Sequence, residues 1–397
     1  MTIVEADLTW TGTRFERGIR IHIEDGGIVA VGAAAEAPDL RLRNRALLPG
    51  FVNAHSHAFQ RGLRGRGDSG CESIHDLALG LDAARFRAVT LEAFREMRAA
   101  GVTCVGEFHD LHHAGDDIDY AFDEIVLEAA REAGLRIVLL NAYLNTDALG
   151  KPIHRAQQRF RSASPDAYWK QMDRLLPLCE SEARHLGVGV HSVRAAGPDA
   201  LAEIYNEARR RGFAFHLQLE DTREEIEACR AAHGLRPMEL LLRSVEIGES
   251  TTCVHCTHTD PGVMERYAHA GGNVCICPLA EGELGVGIER LGEIEAVALG
   301  TDSNARISLL EDMRVLERRQ PGGAVRLLQA ATVAGARALG LPAGRIAPRC
   351  WADFVAVDLT APTLEGWTER TLAGSLVCGG GDDAIAGTCV GGQWTHR

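Results

Sequence analysis

Apolar residues in the middle of the chain follow two alternating patterns. From 85 to 100 they recur every three or four residues, as in an amphipathic helix, and 102–108 is a short apolar run typical of a buried strand. The same alternation predicts further helices over 120–133, 167–185, 200–211, 238–245, 262–270 and 322–339, and further strands over 135–140, 187–191, 212–219, 252–255, 273–277 and 295–299. With an apolar strand before residue 55, these make about eight βα units. The pattern therefore predicts an α/β fold with a closed parallel (β/α)8 barrel over 50–347.

The two ends of the chain have a different pattern. Residues 1–48 alternate short apolar runs with turn signals such as Asp25-Gly26-Gly27, which is typical of β-hairpins. After Pro348 the chain returns to short strands, such as 352–358, and to glycine clusters. We therefore expect one small β domain built from both termini, 1–49 and 348–397, beside the barrel.

Composition narrows the possible partners. The chain has 42 Lys plus Arg against 55 Asp plus Glu, a formal net charge of −13, and contains no long run of basic residues. Nucleic acid and anionic membrane surfaces are therefore not expected partners. The N-terminus has no signal-peptide pattern, and no apolar run approaches the roughly 18–20 residues that span a bilayer. We expect a cytoplasmic protein, whose eleven cysteines are reduced thiols and not a disulfide framework.

The stretch 47–65, LLPGFVNAHSHAFQRGLRG, predicts a buried strand that ends in two histidines. Residues two apart in a strand lie on one face, roughly 6.5–7 Å apart, so the imidazoles of His55 and His57 can bind one metal ion. Isolated histidines are more often ordinary core or surface residues. The polar neighbours of this pair, including Asn53 and Ser56, favour a functional site over a simple core strand.

Polar residues also cluster where the other predicted strands end. Barrel enzymes carry their chemistry at the carboxyl ends of the strands. The residues found there are His55 and His57; Glu107 and His109; His191 and Arg194; His216, Gln218, Glu220 and Asp221; His255 and His258; and Asp302, Ser303 and Asn304. Each could be structural when taken alone, and we expect His112, His113 and His185 to lie on loop or helix surfaces. The coincidence across many strands predicts an active site.

Several of these segments resemble the amidohydrolase superfamily, and within it the formimidoylglutamate deiminase branch. The motifs that carry the resemblance are the 47–65 stretch, GEFHDLHH (106–113), HSVRA (191–195), CVHCTHTDP (253–261), CPLAEGELGVGI (277–288) and GTDSNARISLLEDMRVLE (300–317). The resemblance extends from the first strand to GGQW at 391–394.

This resemblance implies a (β/α)8 barrel flanked by a β-sandwich and a site for one divalent metal ion, with zinc favoured over iron. His55, His57 and Asp302 match the family's metal ligands, and His255 matches the histidine that polarises the bond under attack. A metal ion lowers the pKa of bound water, and a neighbouring carboxylate such as Asp302 can move its proton. The resemblance also suggests a homodimer.

Other positions match the substrate contacts of this family or depart from them. His191 and Arg194 resemble its anchors for substrate carboxylates, and Gln60 matches a substrate-contacting position; an Arg fork suits an anionic substrate. At four positions this chain has a different residue from the family. Gln218 replaces the third metal-binding histidine, Asp221 replaces the catalytic Glu, Asp110 replaces a substrate-binding tyrosine, and Glu283 replaces a neutral amide.

Gln218 and a further departure, in the segment 68–82, concern the metal and the substrate. An amide oxygen is a poorer zinc ligand than imidazole, so Gln218 is a doubtful ligand, and His216 could replace it only if the strand were shifted. The segment 68–82 also lacks the arginine that the family uses to clamp its substrate; His75 is the nearest basic group.

The leading hypothesis is a metal-dependent hydrolase that releases ammonia from an anionic amidine- or formimino-type small molecule. One alternative is a divergent pathway enzyme acting on another nitrogenous small molecule with a weak metal or none. A second is a deaminase of aminated heterocycles, and a third is an inactive binding protein, which Gln218 would favour.

Overall fold

The computed structural model describes residues 1–33, 36–65, 71–146, 153, 155–179, 181, 183–281, 296–319 and 321–396. Sixteen strands are found in this part of the chain: β1 (Thr2–Trp10), β2 (Phe15–Glu16), β3 (Arg20–Glu24), β4 (Gly27–Gly32), β5 (Leu40–Pro49), β6 (Phe51–Ser56), β7 (Val102–His109), β8 (Arg136–Tyr143), β9 (Arg184–Val190), β10 (Phe215–Leu219), β11 (Thr251–His255), β12 (Asn273–Ile276), β13 (Val297–Leu299), β14 (Phe354–Asp358), β15 (Ile385–Val390) and β16 (Gln393–His396).

The α-helices of the described residues mostly lie between the strands of the central region. They are α1 (Cys71–Leu79), α2 (Ala83–Ala99), α3 (Asp123–Ala133), α4 (Pro165–Leu175), α5 (Pro198–Arg211), α6 (Arg223–His233), α7 (Pro237–Ser244), α8 (Pro261–His269), α9 (Leu309–Arg319), α10 (Ala324–Gln329), α11 (Gly335–Ala338) and α12 (Leu372–Cys378). None of them combines the length and the apolar character that crossing a bilayer requires.

Strands β6 to β13 form one parallel sheet in chain order. A further parallel bridge pairs Ser56, at the end of β6, with Asp302, just after β13. The sheet therefore curls round until its first strand meets the segment after its last. This confirms the predicted parallel barrel and gathers the carboxyl ends of its strands at one end.

The termini form a separate mixed sheet in the order β16-β15-β14-β5-β1-β3-β4, with β2 paired to β1. Strand β5 runs directly into β6, so one continuous segment connects the two sheets. A Cβ atom at Gly50, between them, would lie 2.1 Å from Thr103 Oγ1, so only glycine fits. A separate β sheet from both ends is confirmed, whereas the exact domain limits, 1–49 with 348–397 and 50–347, stay a prediction.

Two predicted helices differ in extent. The helix predicted over 167–185 ends at Leu175 and is followed by a short 3-10 turn, Leu176–Cys179, in which Pro177 offers no backbone N–H to continue the helix. The long helix predicted over 322–339 is divided into α10, a π-helical turn at Ala330–Ala334, and α11. There, a Cβ atom at Gly335 would lie 2.8 Å from Val52 O, so this helix packs directly against strand β6.

Ten of the cysteines in the described residues are free thiols: Cys104, Cys179, Cys229, Cys253, Cys256, Cys275, Cys277, Cys350, Cys378 and Cys389.

Candidate active site

The end of β6 and the segment after β13 are bonded to each other through their backbones. His57 N donates to Asp302 O (2.8 Å), and Asp302 N donates to His55 O (3.1 Å). A Cβ atom at Gly300 would lie 2.8 Å from both Cβ and O of His55, so glycine is needed for this close approach. Asp302 itself has φ +48°, a left-handed backbone conformation that is costly for a residue with a side chain and is common at functional sites.

Three ligand-type atoms converge at this point. Asp302 Oδ1 lies 3.5 Å from His55 Nε2 and 3.6 Å from His57 Nε2. A tetrahedral ion with bonds of about 2.0–2.2 Å would place its ligand atoms about 3.3–3.6 Å apart. Both imidazoles are buried, and the ring of Phe108 packs against them at 5.0 and 5.3 Å between centroids. The two carboxylate–imidazole distances and the donor types fit a divalent metal ion of the zinc type.

Gln218, on β10, occupies the side of this cluster where a further ligand would lie. Its Nε2 atom is 3.0 Å from His57 Nε2 and 3.3 Å from His55 Nε2. For the amide to serve as a ligand, its oxygen must point to the metal. His216 is turned away, because its Nε2 atom bonds to Ala338 O at 3.0 Å; the neighbour of the two metal-site histidines on this strand is therefore Gln218.

His255, at the end of β11, lies on the far side of the cluster. Ligand-type atoms of His55, His255 and Asp302 all lie within 4.8 Å of one another. His255 Nδ1 is 3.0 Å from Glu281 Oε1, which also accepts a hydrogen bond from Cys277 N (2.8 Å). Glu281 thereby fixes the imidazole so that Nε2 faces the site. His255 also has a left-handed backbone, with φ +71°.

The protonation states of these groups differ sharply. Burial lowers the pKa of His55 to about 3. Burial also disfavours charge on His255, but its hydrogen bond to Glu281 and the charges of Asp302 and Glu281 raise its pKa to about 10. Burial opposes ionisation of Asp302 as well, yet the surrounding imidazoles hold the pKa of that carboxyl well below its usual range. The site thus combines the ionised carboxylate of Asp302 and the neutral imidazole of His55, which are both suited to binding a cation, with the protonated imidazole of His255.

A buried hydrogen-bond network holds Ser56 and Ala58, the residues next to His57, in place. Ser56 Oγ donates to Glu107 Oε2 and Ala58 N donates to Glu107 Oε1, both at 2.6 Å, while Asn304 Nδ2 donates to Ser56 Oγ at 3.0 Å. Burial raises the pKa of Glu107 to about 7. These bonds hold the backbone around His57 in place.

Asp110 lies beside this pair, just after β7. Its Oδ2 atom is 3.4 Å from His57 Nδ1. Burial opposes both charges, but the attraction between the two groups raises the pKa of His57 and lowers that of Asp110. Asp110 also acts electrostatically on His191, so these residues form one neighbourhood.

The predicted substrate anchors are near one another. Burial lowers the pKa of His191 to about 4, and the charge of Arg194 acts in the same direction. Arg194 is half-buried and also acts electrostatically on Glu225 of α6, whose pKa burial raises to about 7. Gln60 is buried in the 3-10 turn Ala58–Leu63, directly after the histidine pair.

The two acidic residues that follow β10, Glu220 and Asp221, differ in accessibility. Asp221 is exposed, and its charge contributes to the raised pKa of His255. Glu220 is fully buried; it lies 3.4 Å from Arg236 Nε and accepts a hydrogen bond from Met238 N (3.2 Å). Asp221 is therefore the more accessible of the two carboxylates next to the site.

The prediction that His112 and His113 lie on the surface is wrong, because both are completely buried. Asp123 Oδ1 lies 2.9 Å from His109 Nε2 and from His112 Nδ1, and His112 Nε2 bonds to Ala142 O at 2.8 Å. Both partners of His112 are acceptors, so its imidazole donates from both nitrogens and is positively charged. His185 is half-buried in β9, with its ring 5.4 Å from that of Trp351.

Among the candidate residues, Glu283 lies outside the described part of the chain. Sequence reasoning did not assign a role to Glu281, although it follows a strand end and could have been found by the same rule as the other candidates. Glu225 was also missed as a site residue, because its place near Arg194 depends on how α6 packs.

The comparisons with known proteins agree on one family. Residues 46–395 match the sequence profile described as Amidohydrolase family. The chain is 28% identical to formimidoylglutamate deiminase of Pseudomonas aeruginosa, covering 100% of this chain and 95% of that protein. It is also 28% identical to 5-methylthioadenosine/S-adenosylhomocysteine deaminase of Natronomonas pharaonis, covering 93% of this chain and 86% of that protein.

Among solved structures, the fold is similar to that of an adenosine deaminase from Xanthomonas campestris with bound zinc. The TM-score is 0.83 and the identity 21%, over 99% of this chain and 92% of that one.

Proposed function

Because this chain belongs to the amidohydrolase family and is a hydrolase of non-peptide carbon–nitrogen bonds, we propose that it releases ammonia from an anionic amidine- or formimino-type small molecule with the help of one divalent metal ion. Water adds to the amidine carbon, the carbon–nitrogen bond breaks, and the nitrogen leaves as ammonia while the oxygen of water stays on carbon.

The observation that carries this proposal is the convergence of His55, His57 and Asp302, at 3.5 and 3.6 Å between carboxylate oxygen and imidazole nitrogens, beside His255. A divalent ion held there would lower the pKa of a bound water and act as a Lewis acid. Zinc is favoured by the imidazole and carboxylate donors and is bound by the Xanthomonas deaminase of the same fold.

Three side chains have distinct tasks in this proposal. Asp302 Oδ1 faces the ligand nitrogens, and its carboxylate can accept a proton from the attacking water. His255, fixed by Glu281, donates from Nε2 to the substrate atom that gains negative charge. Asp221, which is exposed near His255, delivers a proton to the departing nitrogen.

The substrate side of the site supports an anionic molecule. Arg194 offers a guanidinium fork for a carboxylate, and His191 and Gln60 supply further polar contacts. Asp110 lies beside His57, with its Oδ2 atom 3.4 Å from His57 Nδ1. Cytoplasmic location and a homodimer stay predictions from the sequence.

A deaminase of aminated heterocycles is a second candidate function, favoured by the similarity to the Natronomonas deaminase. It differs from the first in substrate shape, because an aminated purine ring is flat and rigid whereas a formimino amino acid is a flexible chain.

The experiment compares wild type with Asp302→Ala for metal content by elemental analysis and for ammonia release. The substrates are N-formimino-L-glutamate, formimino derivatives of monocarboxylic amino acids, and methylthioadenosine. We expect about one zinc per wild-type chain, turnover of a formimino compound, and loss of both in Asp302→Ala. Asp117→Ala, which changes an exposed aspartate, is the control and should retain both.

Three other results would each favour another function. Turnover of methylthioadenosine alone would select the heterocycle deaminase. Wild type that turns over a substrate without metal would select the divergent enzyme, and wild type that binds these compounds without turning any over would select a binding protein. Unchanged metal content in Asp302→Ala would refute the ligand assignment.

A further inference from the structure

Asp302 lies in the middle of a tight turn whose two ends are bonded to each other twice. Asn304 N donates to Thr301 O at 3.3 Å, which closes the turn over 301–304, and Thr301 Oγ1 donates to Asn304 Oδ1 at 2.7 Å. Asp302 (φ +48°) and Asn304 (φ +55°) both have left-handed backbones. Because this conformation is costly at a residue with a side chain, the contacts around the turn must hold it in place.

A chain of buried hydrogen bonds connects this turn to strand β6. Asn53 Nδ2 donates to Thr301 Oγ1 at 2.7 Å, and Thr301 N donates to Asn53 Oδ1 at 3.1 Å. At the other end of the turn, Asn304 Nδ2 donates to Ser56 Oγ at 3.0 Å, and Ser56 Oγ donates to Glu107 Oε2 at 2.6 Å. These five residues, each at most 3% exposed, form what we call the seam network, because they lie where the barrel closes.

Each side-chain donor of the seam network has one possible direction. The N–H of Thr301 identifies the oxygen of the Asn53 amide, so the amide nitrogen donates to Thr301 Oγ1. The Thr301 hydroxyl hydrogen must then point to Asn304 Oδ1, which leaves Asn304 Nδ2 as the donor to Ser56. An amide is therefore required at 304, because a carboxylate cannot donate to Ser56 and an apolar side chain would leave buried groups unpaired.

The seam network surrounds the backbone that carries the three proposed metal ligands. Asn53 and Ser56 lie on either side of His55, Ser56 precedes His57, and Thr301 precedes Asp302. Only short side chains separate the ligand atoms from this backbone, and Asp302 Oδ1 meets the two imidazole nitrogens at 3.5 and 3.6 Å. A small shift of the turn would therefore move the carboxylate out of reach of a shared metal ion.

A different set of contacts holds the outer side of the turn. Arg64 Nε donates to Ala305 O at 2.9 Å, and Arg64 Nη2 donates to Asn304 O at 3.2 Å. Arg64 Nη1 also pairs with Glu96 Oε2 of α2 at 2.6 Å. These bonds attach the backbone of the loop without using the Asn304 side chain. Loss of one bond in the seam network should therefore loosen the turn without detaching it.

We infer that Thr301 and Asn304 are positioning residues, which set the place of the Asp302 carboxylate relative to His55 and His57 through the seam network. This inference rests on the metal ion of the proposed function and adds two residues to its site. Hydrogen-bond partners that orient metal ligands typically contribute about 10–100-fold to metal affinity. A merely structural role predicts instead that loss of these bonds lowers stability and leaves metal affinity unchanged.

The experiment uses two substitutions that keep the size of the side chain. Thr301→Val removes the hydroxyl group at the centre of the seam network, and Asn304→Asp replaces the donor to Ser56 with a carboxylate oxygen. The control is Thr252→Val, because Thr252 of β11 is also buried and its Oγ1 donates to Ala338 O at 3.4 Å, outside the seam network.

Three measurements on wild type and the variants separate the two roles. Zinc affinity is measured by competition with a chromophoric chelator. The visible absorption spectrum of the protein loaded with Co²⁺ reports the geometry of the metal ligands. Calorimetry of the metal-free proteins measures stability, and none of the three measurements requires turnover.

We expect zinc to bind Thr301→Val and Asn304→Asp at least about tenfold more weakly than wild type, with altered cobalt spectra. Thr252→Val should stay within about twofold of wild type in zinc affinity and keep the wild-type spectrum, even if its metal-free form is less stable.

The inference would be overturned by a folded seam variant whose zinc affinity lies within about twofold of wild type, or by an equal loss of affinity in Thr252→Val. If one seam variant does not fold, the other decides, and failure of both to fold would assign the network a structural role and overturn the inference. Wild type that binds no zinc would instead refute the metal site of the proposed function, and this inference with it.

Discussion

The substitution Gln218→His tests whether the metal site is weakened by its amide. Gln218 Nε2 lies 3.0 and 3.3 Å from the two imidazole nitrogens that face the metal position. A histidine on the same strand face would offer an imidazole nitrogen in place of an amide oxygen, and imidazole is the better ligand for zinc. We therefore expect tighter zinc binding in the variant.

The size of this effect can be bounded from metal-ligand energetics. Loss of a hydrogen-bond partner behind a metal ligand typically costs about 10–100-fold in affinity, so exchange of a ligand itself should reach about 100-fold. At free zinc equal to the wild-type dissociation constant, wild type gains about 0.4 kcal/mol of stability and the variant about 2.7 kcal/mol. With an unfolding entropy of about 2.1 cal/mol/K for each of the 397 residues, the difference raises the melting temperature by about 3 °C.

The assay is differential scanning calorimetry at buffered free zinc, with zinc affinity measured separately by competition with a chromophoric chelator. Gln393→His, on β16 of the terminal sheet, controls for the addition of an imidazole elsewhere. Equal zinc affinity of wild type and Gln218→His would show that the amide is not the weak point of the site. A melting temperature that rises equally without zinc would refute the proposed cause.

Three further predictions concern the substrate anchor and the two buried ion pairs. Arg194→Gln should weaken the binding of anionic substrates by about 1.5–3 kcal/mol, because charge-assisted hydrogen bonds are lost. Steady-state kinetics should show this as a higher KM, and an equal rise in KM for neutral substrates would contradict the prediction. Asp353→Asn should lower the free energy of unfolding in urea by about 3–5 kcal/mol, because Arg136 Nε, which donates to Asp353 Oδ2 at 2.7 Å in a buried position, loses its counter-charge; a change below about 1 kcal/mol would argue against this pair. The pKa of His112 is raised, since Asp123 outweighs burial, so its stabilisation is complete below about pH 6.5 and is lost as pH rises through the raised pKa. The stability difference between wild type and His112→Gln should therefore shrink as the pH rises above about 6.5, and growth of that difference would be inconsistent with a charged His112.

Much of the architecture could be predicted because its signals are local. Helical and strand periodicities depend only on residues that are close in sequence. The eight parallel strands and the terminal sheet could therefore be predicted from the pattern alone. The rule that chemistry collects at the carboxyl ends of barrel strands placed His55, His57 and Asp302 among the candidates, and the family resemblance selected these three as metal ligands. Asp302 is distant in sequence from the two histidines, yet all three lie at strand ends, and the barrel brings the strand ends together.

The tertiary structure decided which side chains are covered and which touch. His112 and His113 follow a strand like many surface residues, but they are buried because neighbouring elements pack over them, with Asp123 supplying the counter-charge. The sequence placed Gln218 nearer the site than His216, and the structure adds the contacts, with Gln218 Nε2 3.0 Å from His57 Nε2 and His216 Nε2 bonded to Ala338 O. Likewise, the contact between His255 and Glu281 depends on how the chain turns after β12. Periodicity fixes the side of an element on which a residue lies; burial, partners and pKa depend on what packs against that side.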